Sequence, residues 1–407
     1  MTTIFNGAIQ CSIEEAITMI VADALAGAKN TFLLLGSPGI GKTAVAKAVA
    51  AALNYDLATM PMPTMQPEGL SIPVPNHDTG TTKDYISESW GIHHGKPLVI
   101  QLDEFTKAPL PMQNAAHPLF DGHPRRIGSY VIPDGSVVIL TGNLPSVGVG
   151  DVLRSHTRNR VIALDITGPT AADHIVWGLN NHMHHYTLAF ADQNPQLYLT
   201  YNSPEFAALD KDDPVRFMVF NPDPANPFKN ASYFSPRALE ACSNILWAWE
   251  KSQATAYPVN DRLLRAQLQG AIGVAAAEKL MATIKMGNDI PAAREIMEAF
   301  NAGSLDNMRR PVAQPAQMMM ALQAPQWIVS AGFGLPKCET KMEANTRMAA
   351  WFQYMSKFTV PVQTAFVDNA RLTVKRAADG TRAKKLADLM HTNPEYVKWS
   401  QANSYVW

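Results

Sequence analysis

The chain has 407 residues and carries 34 basic against 35 acidic side chains, a formal net charge of −1. That length accommodates two or three domains at about 150 residues each, and the neutral balance argues against a dominant, sequence-independent grip on nucleic acid. Cys11, Cys242 and Cys338 are too far apart for a disulfide framework or a CxxC metal site, and Glu14 and Glu15 interrupt the start where a signal peptide would be apolar. No apolar run approaches the roughly 18 residues of a membrane span, so a cytoplasmic, reducing compartment is the expectation.

In chain order, "CSIEEAITMIVADALAG" places Ser12 and Glu15 at capping-box spacing and closes on Gly27, which predicts a first helix. "TFLLL" (31–35) reads as a buried strand, "KTAVAKAVAAAL" (42–53) as a helix and "YDLATM" (55–60) as a second strand. The five prolines of 61–76 predict an ordered excursion without regular structure. "PLVIQL" (97–102) is the next strand and "PLPMQNAAHPLF" (109–120) the next helix. "RRIGSYVIPDGSVVIL" predicts a hairpin around Pro133, Asp134 and Gly135 whose second arm runs on as a buried strand to Leu140. "RVIALDI" (160–166) supplies a fifth strand.

Strands alternating with helices predict a parallel sheet with crossover helices, an α/β fold. Beyond about residue 170 helical periodicity takes over, most clearly in "SPRALEACSNILWAWEKS" and "RLLRAQLQGAIGVAAAEKLMATIK". With a break near "KMGNDIP" (285–291), the expected division is an αβα domain over 1–168, a helical domain over 169–290 and a further helical region over 291–407.

"GSPGIGKT" fits G-x-x-x-x-G-K-[ST] between a strand and a helix. Glycines there let successive N–H groups wrap phosphates while the helix N-terminus adds partial positive charge. The expected ATP-binding stretch is Gly36, Ser37, Pro38, Gly39, Ile40, Gly41, Lys42, Thr43 and Ala44. Lys42 would reach the terminal phosphates, and the Thr43 hydroxyl would take one Mg²⁺ coordination site. "PLVIQLDEF" ends a strand on Asp103 and Glu104, at the edge where α/β sheets bind ligands. Asp103 is there to hold Mg²⁺, and Glu104 to activate the attacking water. Gln101 puts an amide in this otherwise apolar strand and requires a hydrogen-bonding partner. "VVILTGN" repeats the device, and Asn143 at its tip can bond both γ-phosphate and water. Arg154, Arg158 and Arg160 in "RSHTRNRV" offer guanidinium forks suited to a developing phosphoryl charge.

Taken in order, "GSPGIGKT", "LVIQLDEF", "LTGN", "RNRV" and "FSPRALE" resemble the MoxR-type AAA+ ATPases. The resemblance implies a P-loop αβα sandwich followed by a helical lid, with Gly36 to Thr43 as Walker A and Asp103 with Glu104 as Walker B. It further implies Asn143 as sensor 1, Arg237 of "SPRALE" as sensor 2 in the lid, and Arg160 as an arginine finger serving a neighbouring subunit. Val161 stands where the family usually has an aromatic, and Arg158 lies close by, so Arg158 could share or replace that role. Ring oligomers, usually hexamers, that use ATP to remodel client proteins are implied too, often with a partner bearing a von Willebrand factor A domain. The proline-rich 61–76 segment falls where the family carries an insertion facing the ring's pore, and Leu70 and Ile72 are its candidate client contacts. The competing class is a nucleic-acid machine of the helicase-loader or clamp-loader kind. It would need the basic run 371–385, six basic residues and one acid, to form one surface. "HMHH" (182–185) reads as a polar helix end in preference to a metal site: His182 and His185 could share a helix face, but no carboxylate or cysteine joins them at useful spacing.

Overall fold

The computed structural model describes residues 10–121, 124–143, 155–201, 203–287, 289–329, 341–375 and 392–402. The chain forms two compact units. The first comprises the residues up to Pro169 together with Tyr198–Ala231 and Ser235–Arg237; the second comprises Thr170–Leu197, Ser232–Phe234 and the residues from Ala238 onward.

The first unit is built on β1 (Gln10–Cys11), α1 (Ile13–Leu25), β2 (Thr31–Leu35), α2 (Lys42–Leu53) and β3 (Asp56–Pro61). There follow β4 (Ile72–Asn76), β5 (Thr81–Tyr85), β6 (Leu98–Asp103), α3 (Leu110–Ala116) and α4 (Pro118–Asp121). β7 (Arg126–Ile127), β8 (Tyr130–Val131), β9 (Val137–Gly142), α5 (Ser155–Arg158) and β10 (Ile162–Ile166) complete the α/β run. Six strands make one sheet in the order β1-β10-β2-β9-β6-β3, every neighbouring pair parallel.

Near-continuous apolar runs in β2, β6 and β9 are what a sheet covered on both faces demands. Side chains alternate between the faces. Leu33, Leu35, Ile100, Leu102, Val138 and Leu140 enter one core, capped by Phe105, Met112 and Ala116. Phe32, Leu34, Val99, Val137 and Ile139 enter the other, covered by Ala16 and Ile20 of α1 and by Val45, Ala46 and Val49 of α2. α1 opens on the expected capping box: the Ser12 hydroxyl accepts from the Glu15 N–H at 3.1 Å and the Ser12 N–H donates to Glu15 Oε2 at 2.8 Å.

Three local expectations need correction. The 61–76 segment does contain regular structure, since β4 pairs with β5 in an antiparallel ribbon that includes Pro73 and Pro75. Prolines two apart turn their nitrogens toward the same side, and a two-stranded ribbon has an open edge to receive them. The hairpin before β9 turns at Gly128 and Ser129, between β7 and β8, not at Pro133 to Gly135. Gly128 supplies the positive φ of 55° that such a tight turn needs, and Pro133 to Gly135 form a separate turn leading into the sheet. The helix expected over 109–120 is broken into α3 and α4 at Pro118, which cannot donate to the preceding turn.

The remaining elements of the first unit are the short helices α8 (Pro204–Ala207) and α9 (Val215–Met218); in sequence before them, α6 (Ala171–Asn180) and α7 (His185–Gln193) belong to the second unit. α10 (Pro236–Ser252) begins within the residues assigned to the first unit and continues in the second. The second unit continues as α11 (Asp261–Ile272), α12 (Val274–Gly287), α13 (Ala293–Asn301), α14 (Gln314–Val329), α15 (Lys341–Met355), α16 (Val360–Lys375) and α17 (Pro394–Ala402). The long run beginning "RLLRAQ" is two helices because Gly273, at φ 81°, breaks it; a Cβ there would meet the Ser232 carbonyl oxygen at 2.4 Å. α14 packs on α7 and α16, and Ile296, Met348, Trp351, Tyr354 and Phe366 fill the core of the later helices. Among the described residues no helix is long and apolar enough to cross a membrane.

Candidate functional site

β2 delivers the glycine-rich loop directly onto α2. Gly41 caps that helix at φ 110° and Gly39 sits at φ 79°, conformations that leave the backbone free to curl where a side chain would be strained. A Cβ on Gly39 would also meet Ser235 Oγ at 2.8 Å. Ser37 and Ile40 are buried, Pro38 and Ala44 partly so, and Thr43 is the second residue of α2.

Lys42 turns back over the loop. Its Nζ donates to the carbonyl oxygens of Gly36 and Ser37, both at 2.8 Å, and to Asn143 Oδ1 at 3.2 Å. Burial pushes its ammonium down to about 8, helped by the charges of Arg237 and Lys107 and opposed by Asp103 and Glu104. At pH 7 it stays a cation held in a half-desolvated site, a strong attractor for an anion. Arg237 is exposed, and its backbone N–H donates to the Gly39 carbonyl at 3.3 Å.

Asp103 and Glu104 stand at the end of β6, beside β9. Glu104 adopts φ 51°, uncommon for a residue with a Cβ. It opens the turn Phe105–Lys107, and Lys107 Nζ lies 3.3 Å from its Oε1. Gln101, fully buried, finds its partner here: Nε2 donates to Asp103 Oδ1 at 3.2 Å. Thr141, on β9, donates to the same oxygen at 2.7 Å and accepts from the Glu104 N–H at 2.9 Å. Thr141 had not been singled out in the sequence. The signal that could have found it is the two-residue alternation placing it on the same face as Ile139, the residue opposite Gln101.

The structure therefore gathers the loop, Lys42, Asp103, Glu104, Asn143 and the Arg237 charge at the C-terminal ends of β2, β6 and β9. The Thr43 hydroxyl and the Asp103 carboxylate are hard oxygen donors, the chemistry that Mg²⁺ prefers. Arg158 and Arg160 are elsewhere. Both are exposed, and both precede β10, so they stand at the N-terminal edge of the same parallel sheet. Arg154 and Cys338 lie outside the described residues, and so does most of the basic run 371–385.

The histidine segment also needs correction. His182, exposed at φ 56°, precedes α7, so it shares no helix face with the buried His185. A carboxylate does join the group: Glu250 of α10 comes within ligand reach of His184 and His185. His184 caps α7, its Nδ1 accepting from the Tyr186 N–H at 3.2 Å. That puts the ring proton on Nε2, which faces Glu250 Oε1 at 3.1 Å. The approach lacks hydrogen-bond geometry, so among the described residues Nε2 has no hydrogen-bond partner, and a nitrogen that keeps its proton is not a metal ligand.

Residues 31–160 match the family model described as AAA domain (dynein-related subfamily). No curated relative matches the sequence. Among solved structures, a mutant of Thermotoga maritima RuvB is similar at 13% identity, covering 77% of this chain and 92% of that one with a TM-score of 0.35. The Thermotoga maritima RuvB Holliday junction branch migration motor is similar at 13% identity, covering 76% and 87%, with a TM-score of 0.32. With its six-stranded parallel sheet, its phosphate loop and the helices that follow, the chain has the AAA+ P-loop fold.

Proposed function

We propose that this protein is an AAA+ ATPase that hydrolyses Mg·ATP at the interfaces of a ring and uses the cycle to remodel a client protein, in the manner of the MoxR-type enzymes. One observation carries the reading. The phosphate loop with Lys42, the Asp103–Glu104 pair and Asn143 converge on one edge of the sheet, with Lys42 bonded to Asn143 across 3.2 Å. A structural turn has no use for a half-desolvated cation, a carboxylate pair and an amide brought together from three strands.

Lys42 and the backbone N–H groups between Gly36 and Ala44, Pro38 having none, would hold the phosphates, and Thr43 and Asp103 would hold the cation. Bound Mg²⁺ would neutralise charge on the phosphoryl oxygens. Glu104 would accept the proton of the attacking water, released for that work from Lys107. Asn143 would pass from Lys42 to the γ-phosphate, and Arg237 would report the same group from the start of α10. The three-part division 1–168, 169–290 and 291–407 is part of this proposal, with the second part as lid. A hexamer, a client and a partner with a von Willebrand factor A domain belong to it as well, as does a cytoplasmic setting.

The test is ATP turnover and nucleotide binding by the parent and by Glu104→Gln, each measured over a range of protein concentration and with and without DNA. The expected result is intact binding with turnover lost by about a hundredfold or more in the variant, and parental activity that climbs with concentration. Parental turnover by Glu104→Gln would overturn the reading. Strong stimulation by DNA would replace client remodelling with the nucleic-acid class.

A further inference from the structure

We propose that Gln101 and Thr141 are positioning residues that fix the Asp103 carboxylate for the cation, working as a two-donor clamp on a single oxygen. The inference rests on Asp103 being a cation-holding residue, as proposed above.

Elementary hydrogen-bond chemistry settles every direction in the network. A backbone N–H can only donate, so the Thr141 oxygen accepts from Glu104 and its own proton goes to Asp103 Oδ1. A carboxylate can only accept, so Gln101 presents Nε2 to Asp103 and turns Oε1 the other way. There the Thr59 hydroxyl, on the neighbouring strand, donates to it across a long 3.4 Å. Register explains why these groups meet. Thr59 pairs with Gln101 across β3 and β6, Gln101 pairs with Ile139 across β6 and β9, and two residues further along the same face stand Asp103 and Thr141.

The placement is costly for anything but a polar task. Gln101 has no exposed surface and lies on the same face as Val99, among the side chains packed under α2. A leucine would bury there with nothing to satisfy. The amide instead supplies Asp103 with a second donor on Oδ1, and among the described residues no hydrogen bond goes to Oδ2. A carboxylate gripped twice on one oxygen cannot swing, and its other oxygen keeps one direction. Thr141 does more: the same hydroxyl holds the Glu104 N–H and so ties the left-handed backbone of Glu104 to the position of Asp103. Groups that orient a metal-binding carboxylate matter nearly as much as the carboxylate itself, with about 10- to 100-fold losses when removed.

The experiment measures Mn²⁺ affinity of the full chain in the presence of saturating ADP, by electron paramagnetic resonance, alongside ADP affinity in EDTA. The variants are Gln101→Leu, Thr141→Val, Thr141→Ser and Asp103→Asn. Gln101→Leu and Thr141→Val are expected to weaken Mn²⁺ about tenfold while leaving metal-free ADP affinity within about twofold, and Thr141→Ser to restore the parental value. Asp103→Asn separates the two levels of argument. If it leaves Mn²⁺ affinity unchanged, the cation role of Asp103 fails and the clamp fails with it. If Asp103→Asn loses the ion while Gln101→Leu and Thr141→Val keep it, the clamp alone is overturned. An equal loss of metal-free ADP affinity, or no rescue by serine, would make these residues structural and also overturn it.

Discussion

His174 shows how one buried side chain sets a property of the folded chain. It lies in α6, 4% exposed, stacked on Trp177 with ring centroids 5.6 Å apart. Burial pushes its imidazole down to about 4, against about 6.5 in an unfolded chain. Between those values the unfolded chain binds the proton that the folded one refuses, so stability falls as pH drops from 6.5 toward 4. From pH 7 to pH 5 this single group removes about 2 kcal/mol. His185, also driven well down by burial, adds in the same direction. Urea unfolding at the two pH values checks this: His174→Gln, which stays neutral, is expected to lose about 2 kcal/mol less than the parent on acidification. An identical acid loss in both would contradict it.

Among the elements, the sharpest contrast falls within the proline-rich segment before β4. Leu70 and Ile72 are two residues apart, and both were candidate client contacts. The fold separates them: Leu70 is 3% exposed in the core beneath the sheet, whereas Ile72 is 53% exposed on the β4–β5 ribbon. Leu70→Ala is expected to cost about 2–4 kcal/mol and Ile72→Ala less than about 0.5 kcal/mol, both read from thermal or urea unfolding. Only the Ile72 variant can therefore report on client contact. Near-equal costs would show that the ribbon is packed, not presented. The same segment shows where sequence patterns stop being informative. Buried strands such as 31–35 and the box at Ser12 were legible because their signals are local: an unbroken apolar run, and a spacing of three. The two-residue β1 is too short to carry a period, and the ribbon's prolines are permitted only because one of its edges is open. Gln101 was legible as an anomaly, but the Thr141 that shares Asp103 Oδ1 with it was not, because Thr141 lies 40 residues away and reaches Asp103 only through the register of two parallel strands.

For the whole molecule, the sheet itself decides where Arg160 can act. Lys42, Asp103 and Asn143 gather where β2, β6 and β9 end, while Arg160 precedes the start of β10. All these strands run parallel, so the five residues of β10 separate the two edges by about 16 Å. An arginine side chain spans less than half of that. If Arg160 completes a phosphoryl-transfer site, that site is one in another copy of the chain, and Arg158, two residues earlier on the same edge, is bound by the same geometry. The consequence is complementation. On the proposed mechanism Lys42→Ala would lack a working phosphate loop but keep an intact Arg160, and Arg160→Ala the reverse. Each alone is expected to fall at least a hundredfold in turnover, in keeping with the magnitude of arginines supplied in trans. Mixed and allowed to exchange subunits, the two should recover a substantial part of parental activity, because some interfaces then pair a good loop with a good arginine. Substituting Arg158 in the recovering partner tells which arginine is used: recovery that survives Arg158→Ala leaves Arg160 as the finger. No recovery on mixing, despite subunit exchange shown by co-elution of a tagged copy, would mean that the arginine serves its own subunit or none.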